Sequence, residues 1–146
     1  MLKEMIAPDS VIYVPQVSGW REAVDIAASP LLEHGDIRES YVDAIKSSID
    51  SPGGTYIDLG GGIALAHARP ETGVIRSALS VLRVGKSFLL ADDEQHPIEV
   101  LFCLGAKDSD SHIDMMKNLA ELLTNDDKRQ ALMRAKDKET LRAALA

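Results

Sequence analysis

The sequence predicts an α/β sandwich, a mixed sheet of about five strands flanked by helices. Three observations lead there. Apolar residues at helical spacing fill the first third, from Trp20 to Ile49. Short β-rich runs bounded by glycine and proline fill the middle, ending in Ile98 to Leu104, an apolar run broken only by Glu99. Helical spacing then returns from Ser111 to Ala146. No repeat, low-complexity stretch or linker interrupts this order, so residues 1–146 are read as one domain.

Each element has its own signal. Val11 to Val14 lies between Pro8 and Pro15 and reads as an edge strand. Ser18 is the expected N-cap of a first helix that carries Trp20, Ala23, Val24 and Ala27 on one face and ends at His34, before Gly35. Glu39 to about Ile49 is the second helix, with Tyr41, Val42, Ile45 and Ile49 as its stripe. Ser51-Pro52-Gly53-Gly54 breaks it. Thr55 to Leu59, Ile63 onward, Val74 to Val84 and Ile98 to Leu104 are the predicted strands, the last covered on both faces. Ser111 with Asp114 resembles a capping box for a helix with an Ile113, Met116, Leu119, Ala120, Leu123 stripe. Asp126 or Asp127 would cap a shorter helix to about Ala135, and Asp137 a last one to Ala146.

Composition narrows the function. A net charge of −7 argues against nucleic acid or an anionic membrane as the main partner, since both need basic patches, but leaves a basic protein partner open. One cysteine, Cys103, excludes an internal disulfide and fits a reducing compartment. Met1 to Pro8 carries Lys3 and Glu4 without a long apolar run, so no export signal is expected there. Nor does any apolar stretch reach the roughly 18 residues of a membrane span. The expected location is the cytoplasm.

The chemistry concentrates in Gly60-Gly61-Gly62-Ile63-Ala64-Leu65-Ala66-His67-Ala68-Arg69-Pro70. The glycines permit positive φ, the apolar run makes a buried strand stub, and Pro70 stops the ladder. His67 therefore sits at the mouth of a strand, where an imidazole can serve as base, nucleophile or metal ligand. A lone histidine near a strand end is as often a surface or satisfied core residue. Arg69, two residues on, could neutralise a dianion. His112 falls at the start of the Ser111 helix, where unpaired amides favour anions; the plainer reading is an ordinary first-turn residue. His34 and His96, beside Gly35 and Pro97, read as surface residues. One cysteine and four scattered histidines show no zinc-ligand spacing, and Cys103 inside the most apolar strand reads as a buried thiol. The triple glycine lacks both the Gly-x-Gly-x-x-Gly fingerprint and the lysine of a phosphate loop. The residues alone leave two readings, a histidine-centred transfer enzyme and a non-catalytic α/β binding module.

Gly62-Ile63-Ala64-Leu65-Ala66-His67-Ala68-Arg69-Pro70 resembles the Gly-Ile-Ala-Leu-Pro-His-Ala-Arg-Pro segment of enzyme IIA proteins. These belong to the fructose/mannitol superfamily of the bacterial phosphoenolpyruvate-dependent sugar phosphotransferase system. Pro97 to Leu104 followed by Asp110-Ser111-His112-Ile113 is similar to that family's apolar strand and Asp-Ser-His helix start, and Trp20 to Ala23 and Tyr41 to Ile45 match its two leading helices. Within the family, Pro70-Glu71-Thr72-Gly73-Val74 and the long leading segment look most like the L-ascorbate-type members.

The resemblance implies a fold of a mixed five-stranded sheet flanked by helices. It also implies a phosphoryl carrier without metal or organic cofactor. His67 would accept phosphate from the phosphohistidine of HPr and pass it to a cysteine of enzyme IIB. His112 would steady the phosphoryl group, with Arg69 and Ser111 as further phosphate-binding residues. A regulatory module that binds a partner according to its phosphorylation state is the alternative. Two departures stand out: Ala66 replaces the family's proline before the histidine, and Ser47-Ser48-Ile49-Asp50 offers no counterpart to the helix arginine of mannitol-type members.

Overall fold

The computed structural model describes residues Leu2–Ala146; Met1, first in the segment read as carrying no export signal, lies outside it. A five-stranded mixed sheet forms the middle layer, in the order β1-β4-β5-β3-β2. Its strands are β1 (Val11–Val14), β2 (Asp58–Gly60), β3 (Ile63–Ala66), β4 (Ala78–Leu89) and β5 (Pro97–Gly105). The helices are α1 (Leu2–Met5), α2 (Trp20–Glu33), α3 (Glu39–Asp50), α4 (Ser109–Thr124), α5 (Asp126–Arg134) and α6 (Lys138–Ala144). β1 runs parallel to β4 and β3 parallel to β5, whereas β4–β5 and β2–β3 are antiparallel. Among the described residues no helix is long and apolar enough to cross a membrane.

Strand alternation sorts the core by size. Ala64, Ala66, Leu82, Leu101 and Cys103 face α2 and α3, against Ala23, Ala27, Ala28, Tyr41 and Ile45. Ile63, Leu65, Val81, Phe102 and Leu104 face the other way, under Met115, Leu119, Leu122, Leu132 and Leu141. β5 is buried from Val100 to Gly105 because helices cover both faces, which is why its sequence runs apolar without alternation. Small side chains on the first face let α2 settle close to the sheet, and the Ser80 hydroxyl reaches the Ala27 carbonyl at 2.5 Å.

α2 tolerates a proline because a neighbour repairs the damage. Pro30 has no N–H for the Ile26 carbonyl, and the Ser29 hydroxyl donates to that oxygen at 2.8 Å. The helix ends in a Schellman turn: Gly35, at φ +73°, donates to Leu32, and Asp36 donates to Leu31.

Several expected boundaries move. The α2 N-cap is Gly19, and Ser18 instead donates its amide to the Glu22 carboxylate. Gly54–Ile57 is a 3₁₀ turn, so the Thr55 to Leu59 strand shrinks to Asp58–Gly60. A Cβ at Gly54 would meet the Ser48 carbonyl at 2.1 Å, so the chain folds back onto α3 before it can extend. β4 starts at Ala78 rather than Val74 and continues to Leu89, since residues 72–76 bond to Asp36, Arg38 and Ser40, at and before the start of α3, instead of pairing in the sheet. Asp108, not Ser111, caps α4, and Asn125 caps α5 in place of Asp126 or Asp127. α4 buries Met115, Leu119 and Leu122 against the sheet and leaves Ile113 66% exposed. Asp137 caps α6, which stops at Ala144.

Amide bonds from Ser111 and Thr140 hold the Asp108 and Asp137 carboxyls below their usual range. A depressed carboxylate pKa contributes stability that is present above the unfolded value of about 3.9 and lost as pH falls through the folded value. Asp137→Asn keeps a cap acceptor but cannot titrate. Urea midpoints measured between about pH 2 and 5 should fall less steeply for this variant than for the wild type; parallel slopes would remove the Asp137 carboxylate from the acid limb.

Candidate active site

His67 is the first residue beyond β3, and the site follows from the sheet order. β3 and β5 pair in parallel from Ile63↔Val100 to Ala66↔Cys103, so both strands end at the same edge. The chain leaving β3 at His67 therefore lies beside the chain leaving β5, which turns at Gly105 into α4. Ligand sites in α/β sheets form at such carboxyl ends. His67 and His112, 45 residues apart in sequence, line one cleft of about 560 Å³ with Tyr41, Pro70, Lys107 and Ser109.

The imidazole of His67 is held in one state. Its Nδ1 lies 2.9 Å from the Leu65 carbonyl oxygen. A carbonyl only accepts, so Nδ1 carries a proton, and in the neutral ring the lone pair is on Nε2. The Tyr56 ring meets the imidazole edge-on, with centroids 5.8 Å apart and planes at 87°. Half-buried and doubly braced, the ring is oriented before anything binds.

α3 grips the loop that follows. The Ser40 hydroxyl donates to the Thr72 carbonyl at 2.6 Å, and the Arg38 amide donates to the Gly73 carbonyl at 2.8 Å. Gly73 sits at φ +153°, where a Cβ would lie 2.8 Å from the Ser40 hydroxyl oxygen, so the close fit requires glycine. The buried Tyr41 hydroxyl donates to the Leu104 carbonyl at 2.5 Å and accepts the Ala68 amide at 3.1 Å. Burial pushes its pKa well above the ordinary phenol range, so it remains a protonated donor.

The expected site residues divide around His67. His112 stands on the fourth residue of α4, with its own amide bonded to Asp108, and its exposed ring lines the cleft. Ser111 faces otherwise, spending its amide on the Asp108 carboxylate at 2.8 Å, so the cleft wall is built by Ser109 and Lys107 instead. Arg69 lines a second cleft of about 410 Å³, which His67 also lines, with Ala44, Ser48, Tyr56 and Thr72. The strand ends at Ala66, so it is the loop and not strand alternation that brings Arg69 into a cleft with His67. Ala66 is fully buried in register with Cys103, so strand pairing restrains the backbone where the family has proline.

Sequence reasoning placed Tyr41 in the core stripe and missed its hydroxyl. The signal available was a tyrosine at a position that burial would otherwise give to phenylalanine or leucine. His34 and His96 pair with Asp9 and Asp58 at 2.6 and 2.7 Å, away from both clefts. Among the described residues no group of three or more His, Cys, Asp or Glu side chains is arranged to hold a metal.

With this geometry in place, comparison with known proteins decides the family. The model for "Phosphoenolpyruvate-dependent sugar phosphotransferase system, EIIA 2" matches residues 4–146. The chain belongs to this family. It is 32% identical over 140 residues to the mannitol-specific cryptic phosphotransferase enzyme IIA component of Escherichia coli K12, covering 96% of this chain and 94% of that one. The solution structure of the mannitol-specific cryptic enzyme IIA from Escherichia coli superposes with a TM-score of 0.89 at 31% identity, over 99% of this chain and 97% of that one. An ascorbate-specific EIIA component of Salmonella choleraesuis is 26% identical over 141 residues, covering 93% and 91%. The family and its fold are those the Gly62 to Pro70 motif implied, and family membership makes the chain a phosphotransferase component.

Cys103 is 0% exposed and burial pushes its thiol up to about 12. Folded protein should resist iodoacetamide at pH 8, and urea should release full reactivity. Rapid alkylation of the native state, followed by mass spectrometry, would contradict this burial.

Proposed function

We propose that residues 1–146 act as one IIA domain in the cytoplasm and that His67 is the phosphoryl acceptor and donor. The observation that supports this reading is the Nδ1–Leu65 hydrogen bond, which leaves Nε2 as the nucleophile in a ring lining the cleft shared with His112. The Nε2 lone pair attacks the phosphorus of the HPr phosphohistidine. The donor's N–P bond breaks, and its electron pair returns to the HPr imidazole. Phosphorylated His67 retains the Nδ1 proton on the Leu65 carbonyl, so the ring carries positive charge. When a cysteine thiolate of enzyme IIB attacks the same phosphorus, the electrons of the His67 N–P bond fall back onto Nε2 and a neutral imidazole leaves.

The transfer needs positioned charge more than covalent assistance. His112 and Lys107 stand on one side and Arg69 on the other, against a group carrying close to two negative charges. Ser111 contributes through the Asp108 cap, which fixes the first turn of α4 beneath His112. The ascorbate-specific relative and the Pro70 to Val74 segment support a sugar such as L-ascorbate, and the mannitol-specific relative supports mannitol. Uptake assays with a cognate membrane component and each sugar separate the two.

Labelling with radioactive phosphoenolpyruvate, enzyme I and HPr tests the assignment. Wild type should take up acid-labile, base-stable label, and His67→Ala should take up none. His112→Ala should fold and lose roughly 10²-fold in transfer rate, the scale of removing one preorganised stabilising group. Histidine label on His67→Ala would overturn the acceptor assignment. A wild type that never labels would favour the regulatory module.

A further inference from the structure

We infer that Tyr41 is a positioning residue for phosphoryl transfer, setting the separation of His67 and His112 through its hydroxyl; this rests on the carrier reading above. One oxygen joins the two backbone segments that carry the histidines. It accepts the amide of Ala68, the residue after His67, at 3.1 Å, and donates to the carbonyl of Leu104 at 2.5 Å. The chain from Leu104 crosses Gly105 and Ala106 to Asp108, which accepts the His112 amide at 3.1 Å and the Ser111 amide at 2.8 Å. A continuous set of hydrogen bonds and short backbone spans therefore runs from the residue beside the nucleophile to the helix turn of the second histidine.

Three features make this hydroxyl a fixed spacer. The ring is 1% exposed among Ile45, Ala66 and Cys103 on the α3 face of the sheet, so it cannot swing away. The single hydroxyl proton is committed to Leu104 by the shorter contact, since the Ala68 carbonyl is 3.4 Å away and lies beyond a good hydrogen bond. Tyr41 also lines the histidine cleft, and a phenylalanine there would leave the Ala68 amide and the Leu104 carbonyl short of a partner. With no proline at position 66, the tie at Ala68 restrains the backbone on the far side of His67 from the strand.

The test is a double-mutant cycle on phosphoryl transfer from phosphorylated HPr, using wild type, Tyr41→Phe, His112→Ala and the double variant. Each is assayed at a temperature where circular dichroism shows it folded. Tyr41→Phe keeps the ring, and the label should still map to His67. Its transfer rate at saturating HPr should fall about 10- to 100-fold, the cost of misplacing a reacting group by an ångström, with little change in the HPr concentration for half-maximal rate. In the His112→Ala background the same substitution should cost less than about 3-fold, because the partner it positions is gone. Full-size, additive losses in the double variant would overturn the inference, as would an unchanged rate in Tyr41→Phe. A wild type that fails to label would instead mark failure of the carrier reading.

Discussion

The parallel pairing of β3 with β5 is the constraint on which the site depends. Parallel neighbours end at the same edge of a sheet, so residues far apart in sequence leave their strands side by side. His67 and the Gly105 to Asp108 turn meet for that reason. The chain reaches this arrangement by laying β4 antiparallel to β5, which inserts β5 between β3 and β4. A slip of one residue would exchange the faces of β5. Both faces are apolar, so polarity does not oppose the slip; size does. Phe102 would be driven against the small residues Ala23, Ala27 and Ala28, and Cys103 would leave a void under Leu119 and Leu132. Overpacking and cavity formation in one core each cost about 1–5 kcal/mol.

The size sorting also positions α3. Alanines on the inner face of β3 let α3 lie close enough for Tyr41 to reach across the sheet edge to Leu104 and Ala68. From there its first turn holds the histidine loop at Thr72 and Gly73 as well. The loop is thus ordered by hydrogen bonds to a helix that is itself locked by core packing. In the proposed carrier reading, this arrangement lets His67 receive and release a group without the surrounding backbone changing.

Much of this was legible in the sequence, for identifiable reasons. The α3 stripe of Tyr41, Val42, Ile45 and Ile49 buries as its spacing requires, and the unbroken apolar run of β5 marks the doubly covered central strand. His67 at a strand mouth followed from Pro70 and the glycine-led stub. What failed was choice among near-equal signals. Asp108, Asp110, Ser111 and Asp114 all sit within two turns, and the cap went to the residue whose carboxylate the turn from β5 placed under the free amides. On α4 the stripe of Ile113, Met116 and Ala120 competes with that of Met115, Leu119 and Leu122, and the sheet takes the second, leaving Ile113 at the surface. Tyr41 reads as apolar bulk because its partners are a main-chain donor and a main-chain acceptor 27 and 63 residues away, and backbone groups leave no trace in side-chain pattern.

The two departures from the family motif are best understood together. Proline before the histidine would fix φ and remove a donor; here Ala66 is held by register with Cys103 and the following amide by Tyr41, so rigidity comes from pairing on both sides of His67. The missing helix arginine leaves Ala44 and Ser48 on the α3 wall of the second cleft, and this small lining opens the space that Arg69 faces from the loop. A guanidinium on the loop rather than on α3 lies two residues along the backbone from His67, and among the described residues it is in none of the ion pairs between side chains. In the proposed carrier reading its charge faces the phosphoryl group on His67 from the second cleft, while His112 and Lys107 line the first.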